Sequence, residues 1–457
     1  MPETPINTRR HFILPALFAA FCCSFLLLSG CADEHVIQGQ QSFQNLTPHQ
    51  AYAVSLEEAG LQSTALGQAW FDAGEIAVNK SIEVAAPYRE VGYLDPKEVS
   101  ARGYRIRVLQ GQFLQIKVSV QAEDSMHLFI DLFELSEDPA ALPRHVATAD
   151  SSYQIQVEPK RDITYLIRLQ PELLRGGRYT FDVNIDASLG FPVAGHSSTH
   201  IHSFWGAPRD GGRRLHKGVD IFADTGTPVV AISDGYIARI DETIVGGKVI
   251  WVRDAARNQA YYYAHLDEFL TDEHVRVQKG DTLGTVGKTG NAANTPAHLH
   301  FGIYATRSAV DPLPYIQDLT QLMPTVAADT SRLGEWVRVT SRFARLRKGP
   351  SRNSEMVDKL PRHTALRVLG GTSNWYTVEL PNGKSGFILS SLTEDTDDPI
   401  RNMQLAAGQS LRYSPSSSAA AIDSIGVDSE LPVFGEFGGF IGVTSPSGRT
   451  GWISAMD

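Results

Sequence analysis

After Cys31, this chain of 457 residues contains no cysteine. Its three cysteines, Cys22, Cys23 and Cys31, all fall at the N-terminus. Everything downstream must fold on hydrophobic cores alone, without a disulfide staple or a thiolate metal site. Any metal in the body must be held by nitrogen and oxygen. The length exceeds one ordinary core and calls for about three or four domains. Apolar residues make up 42% and charged residues 20%, a soluble globular profile. The formal charge of -10 argues against nucleic acid as a partner.

The first 30 residues read as an export signal. Arg9 and Arg10 give a positive start, an apolar run follows over residues 12–28, and polar sequence begins at Asp33. The run is too short for a permanent span and carries the flanks of a cleaved signal. Leu28-Ser29-Gly30-Cys31 resembles the lipobox of bacterial lipoproteins. That resemblance implies a lipid on the Cys31 sulfur and a membrane anchor. Ala32, rather than an aspartate, follows the cysteine, which favours the outer membrane, with the protein facing the periplasm. Arg9 and Arg10 also fit a twin-arginine export motif, although two ordinary n-region arginines explain them more simply.

The rest of the chain is expected to be mainly β. Residues 31–75 read as a linker and a helix, which starts with Thr47 as N-cap and Pro48 in the first turn and runs to about Trp70. Residues 76–190 alternate apolar and polar positions, as in Phe113-Leu114-Gln115-Ile116-Lys117-Val118, and predict a β-sandwich. Residues 191–316 form a unit rich in glycine and histidine, followed by a connector over 317–334. Two similar segments then cover 335–393 and 400–457, a repeat of about 60 residues. Leu346-Arg347-Lys348-Gly349-Pro350-Ser351 in the first matches Leu411-Arg412-Tyr413-Ser414-Pro415-Ser416 in the second. Both resemble bacterial SH3-like domains, small β-barrels that commonly bind cell wall. The acidic stretch 394–399 reads as the linker between them. Residues 335–392 carry ten Lys+Arg against four Asp+Glu, whereas residues 400–457 carry three against five. With Trp375 and Tyr376 as an aromatic binding surface, the first repeat is expected to be the stronger wall binder.

Five residues of the middle unit carry its chemistry. His216-Lys217-Gly218-Val219-Asp220 is a His-x-x-x-Asp, with Gly218 expected to permit a sharp turn. Tyr261-Tyr262-Tyr263-Ala264-His265 ends an aromatic strand, with residues 261, 263 and 265 expected on one face. His298-Leu299-His300-Phe301 is a His-x-His in a strand. Side chains alternate there, so His298 and His300 share one face about 7 Å apart while Leu299 and Phe301 enter the core. The segment 287–290 looks like a phosphate loop but lacks the strand–helix setting, and turn chemistry accounts for it.

Taken in this order, the motifs resemble the lysostaphin-like, LytM-type zinc endopeptidases of cell wall over residues 190–316. Phe204-Trp205-Gly206-Ala207-Pro208-Arg209, Gly226-Thr227-Pro228-Val229 and Gly287-Lys288-Thr289-Gly290 add to the likeness. The resemblance implies an antiparallel-β peptidase domain with His216, Asp220 and His300 as ligands of one Zn²⁺. His265 and His298 would stay off the metal, one as general base and the other as donor to the oxyanion or leaving amine, with His298 favoured as the base. The implied substrate is peptidoglycan, cut at its peptide cross-links. The alternative is a LytM-like regulatory protein that binds wall and activates a separate amidase; the complete ligand set speaks for the enzyme.

Overall fold

A computed structural model describes residues 46–121, 126–306, 308–319 and 321–455. The expected export signal and Cys31 lie outside the described residues.

Thr47 caps the first helix, Pro48–Glu58, in a capping box with Gln50. The expected single helix to Trp70 is instead two. Gly60, at φ 70°, breaks it, and Thr64 caps a second helix, Ala65–Asn79, that runs past the expected boundary at 75. Trp70, Ala73 and Ala77 are buried on its inner face. The Trp70 indole donates to the Pro171 carbonyl at 2.9 Å, and the Gln170 amide donates to the Trp70 carbonyl at 2.7 Å.

Two sheets face each other behind these helices. One has the order Ile82–Glu83, Arg102–Val108, Ile163–Pro171, Leu128–Leu135, Arg144–Thr148. The other contributes Tyr88–Leu94, Gly177–Ala187, Gln112–Gln121 and Gln154–Val157. The facing sides of the two sheets pack together: Tyr104, Ile106 and Val108 meet Leu114, Ile116, Phe181 and Val183.

The second sheet continues beyond the sandwich. Tyr88–Leu94 pairs with Ala365–Thr372 of the first repeat through Val91↔Gly371 and Gly92↔Gly370. Beneath this junction Glu90 is 1% exposed. Its carboxylate accepts hydrogen bonds from the hydroxyls of Tyr88, Tyr104 and Tyr179 at 2.6–3.0 Å and of Thr377 at 2.7 Å. Gly370 makes room, because a Cβ there would lie 2.7 Å from the Glu90 carboxyl carbon.

Both repeats are small antiparallel sheets with their own cores. The second has the order Arg401–Gln404, Glu430–Phe437, Phe440–Thr444, Thr450–Ser454, Gln409–Arg412, Ala421–Ile425. Two expectations fail in this region. Trp375 and Tyr376 are not a surface: they are 6% and 4% exposed, because both faces of their strand are covered, with Tyr376 packed into the core of the repeat. The acidic stretch is not a free linker either. Thr393–Asp395 pairs with Trp336–Val339, Glu394 holds the buried Arg338 at 2.7 Å, and Asp395 and Asp397 hold Arg332 at 2.8 and 3.0 Å. Arg367 pairs with Asp95 and Glu98 of the sandwich. Part of the first repeat's positive charge is therefore spent in internal pairs.

The middle unit is a twisted antiparallel sheet whose path runs Ile201–Ser203, Val219–Phe222, His298–Ala305, Gln259–Phe269, Gly247–Asp254, Gly235–Thr243, Arg276–Val277. One face is core: Ile221, Ile250, Val252, Tyr261, Tyr263, Leu299, Phe301 and Ile303 pack together. The opposite face carries the polar residues described next.

Candidate metal centre

The site follows from strand register. Val219–Phe222 and His298–Ala305 pair antiparallel, with Asp220 directly opposite His300 and Phe222 opposite His298. Opposed residues share a face, so burying Leu299 and Phe301 on one side turns His298, His300 and Asp220 to the other. His216 arrives from the preceding loop, fixed by His216 N–H to Ala207 O at 2.8 Å and Gly206 N–H to His216 O at 2.9 Å. Gly218 serves space rather than a turn, because its φ is not positive. A Cβ there would lie 2.4 Å from the Phe301 carbonyl oxygen and 2.8–2.9 Å from the His300 ring.

Three atoms converge. His216 Nε2 lies 3.0 Å from Asp220 Oδ1 and 3.0 Å from His300 Nδ1, and the latter two are 2.9 Å apart. Among the described residues, His216, Asp220 and His300 form one group able to hold a metal ion. Ligands at about 2.0–2.1 Å in tetrahedral directions sit roughly 3.3–3.4 Å apart, so the triangle is within a few tenths of an ångström of a zinc ligand set. The neighbouring contacts favour lone pairs at these atoms. The His216 Nδ1 donates to the Phe204 carbonyl at 2.9 Å, which leaves Nε2 bare. Arg209, quoted in the sequence only as part of a pattern, holds the second Asp220 oxygen at 2.7 Å. Burial works against the Asp220 charge, yet the His216 and His300 rings packed beside it outweigh that and keep the carboxyl far below the usual range. Burial lowers the His300 pKa, which favours the neutral, ligating imidazole.

His265 and His298 stand beside the triangle, both buried. Their rings are 5.0 Å apart, and His265 is 6.1 Å from His300. His265 Nδ1 meets the Thr289 carbonyl, and His298 Nδ1 the Pro296 carbonyl, each at 2.9 Å. A carbonyl only accepts, so both rings carry the proton on Nδ1 and present a basic Nε2. Burial, then the neighbouring His298, lowers the His265 pKa to about 4.

The expected shared face of residues 261, 263 and 265 is wrong. Tyr261 and Tyr263 enter the core, while Tyr262 lies on the site face, its ring 5.9 Å from that of His300. Between Tyr263 and Leu266 the strand carries one residue more than its partner does between Ile250 and Lys248, and His265 adopts φ 64°. This bulge turns His265 to the metal side. Nothing in the alternation signals it. The turn at 287–290 supplies the support: Thr289 Oγ1 donates to Leu266 O at 2.8 Å and accepts from Lys248 N–H at 2.9 Å.

Residues 214–312 match peptidase family M23, and residues 342–394 match the bacterial SH3 domain. An L-Ala--D-Glu endopeptidase of Bacillus subtilis is 34% identical over 28% of this chain and 42% of its own length. The glycyl-glycine endopeptidase ALE-1 of Staphylococcus capitis is 36% identical over 22% of this chain and 29% of its own. The peptidoglycan DD-endopeptidase ShyC of Vibrio cholerae is 33% identical over 25% and 26%. The chain thus spans less than half the length of each of these relatives, and their names specify three different bonds. By these matches and by the geometry they overlie, the chain carries a peptidase family M23 domain and a bacterial SH3 domain.

Proposed function

We propose that this protein is a zinc-dependent endopeptidase that hydrolyses peptide cross-links of bacterial peptidoglycan, held to a membrane by a lipid on Cys31. The observation that carries the reading is the triangle of His216 Nε2, Asp220 Oδ1 and His300 Nδ1, with two further imidazoles beside it. Zinc held by these three atoms would supply a bound water acidified toward a pKa of about 7 and would polarise the scissile carbonyl.

The chain's own residues do the rest. Arg209 fixes the Asp220 carboxylate so that one oxygen faces the metal position. The Phe204 carbonyl fixes the His216 tautomer. His298 Nε2 takes the proton of the attacking water, and His265 Nε2, once protonated, donates to the oxyanion or the leaving amine. Exposed Phe204 and Leu215 on the loop that carries His216, and Ile244 and Val245 at the tip of the neighbouring hairpin, give the site an apolar rim suited to a peptide chain. An intact ligand set favours this reading over a regulatory protein that activates a separate amidase. The SH3 repeats fit a chain that works on cell wall.

Digestion of isolated sacculi by the full chain, with zinc and after chelation, tests the reading. Mass analysis should show a new amine terminus within a cross-link only with zinc. Products identical to those of a mock digest would refute it.

A further inference from the structure

The face that carries the metal triangle continues into a strip of side chains that the catalytic reading does not use. Arg239 opposes Trp251, Trp251 opposes Tyr262, and Tyr262 opposes Gly302, two residues beyond His300 on its strand. Opposed residues share a face, so the strip crosses four strands and leads away from the metal position. The rings of Trp251 and Tyr262 are 4.6 Å apart, and those of Trp251 and Tyr304 are 5.0 Å apart. All three rings are partly exposed, while their sequence neighbours Ile250, Val252, Tyr261, Tyr263 and Ile303 build the core on the other face. The strip ends in an ion pair between Arg239 and Asp241, whose side chains are 64% and 32% exposed. A register shift between Ile237 and Arg239 brings Arg239, rather than Ala238, opposite Trp251. Bulges of this kind re-aim side chains, and exposed pairs contribute little to folding, so stability alone gives no reason for this placement.

The chemistry of the strip selects its occupant. Aromatic faces take methylene groups, and a guanidinium beside a carboxylate complements an amino-carboxylate head. Strand spacing sets the Arg239 strand about 14 Å from that of His300. An extended peptide covers about 3.5 Å per residue. A residue near the scissile bond, with a side chain several carbons long, and the Arg239 side chain together span that distance.

We propose that Tyr262, Trp251 and Tyr304, with Arg239 and Asp241, form a specificity subsite for a stem-peptide side chain whose methylenes end in a free amino-carboxylate. The carboxylate meets Arg239 and the ammonium meets Asp241. The proposal rests on the peptidoglycan reading above. Its test uses the zinc-loaded full chain and two cross-linked stem-peptide dimers, one with the side-chain carboxylate of its diamino diacid free and one with it amidated. The wild type should prefer the free carboxylate in kcat/KM by about tenfold or more, the scale of one charge-assisted hydrogen bond. Arg239→Gln should abolish the preference through KM, and Trp251→Phe should raise KM for both dimers. An unchanged preference in Arg239→Gln, or none in the wild type, overturns the subsite while leaving the peptidase reading intact. If the wild type cuts neither dimer, the peptidase reading falls. The subsite is then judged by calorimetry with the free tripeptide: weaker binding by Arg239→Gln supports it, and equal or absent binding overturns it.

Discussion

Asp220 and His300 sit directly opposite each other on adjacent antiparallel strands, and the Oδ1 of one lies 2.9 Å from the Nδ1 of the other. Two of the three proposed ligand positions are thus fixed by a single register, and a one-residue slip of either strand would send its own side chain into the core. The third, His216, needs the strands to admit its loop, and Gly218 is where they do. Gly218→Ala would drive a methyl to 2.4 Å from the Phe301 carbonyl oxygen. Overpacking against backbone should cost about 3 kcal/mol or more. A thermal melt should show a clear fall in Tm together with zinc loss; an unchanged melt with full zinc would show that the space is not needed.

Arg209 touches no metal position directly, yet it fixes the second oxygen of Asp220 at 2.7 Å. Partners of that kind are worth about 10–100-fold in metal affinity. Arg209→Gln should weaken zinc binding by that factor in a chelator competition while the fold persists. Wild-type affinity in the variant would remove Arg209 from the account.

Glu90 joins the sandwich to the first repeat. It collects four hydroxyl donors, three from the sandwich and one from Thr377. Glu90→Ala leaves these hydroxyls buried without their acceptor, at a cost of about 3–5 kcal/mol. The expected result is a lower Tm and faster proteolysis near the junction. A variant that melts and resists protease like the wild type would mean that the continuous sheet holds without this carboxylate.

Cys31 lies outside the described residues, so its role stands on Leu28-Ser29-Gly30-Cys31 alone. Labelled palmitate should enter the wild type and not Cys31→Ser. A mature species starting at Cys31 without lipid, by mass spectrometry, would contradict the anchor.

The shared face of His298 and His300 was legible because a His-x-His strand has a fixed periodicity: once Leu299 and Phe301 are core, both must face the other way, whereas the choice of His216, Asp220 and His300 as ligands came from the family resemblance. The N-cap at Thr47 was legible for a similar reason, since Thr47-Pro48 marks a helix start locally. What escaped the sequence depends on non-local pairing. The bulge that turns His265 toward the metal is an extra residue relative to a partner strand, and no alternation within one strand reports it. The sheet that runs from Tyr88–Leu94 into Ala365–Thr372 joins residues far apart in sequence, so Trp375 looked like surface and Glu394 like linker. Arg209 was visible only as a letter in a pattern until its contact with Asp220 gave it a task.

In the proposed mechanism His216, Asp220 and His300 bind the metal while His265 and His298 do the proton chemistry. It is tested most directly by measuring zinc content and sacculus hydrolysis together in the wild type, His300→Ala, His298→Ala and His265→Ala. The wild type should hold one zinc per chain, and the His298 and His265 variants should retain it with turnover down by about 10²–10⁴-fold. His300→Ala should lose both zinc and activity. Equal zinc in His300→Ala and wild type, or near-normal turnover in both His298→Ala and His265→Ala, would contradict it.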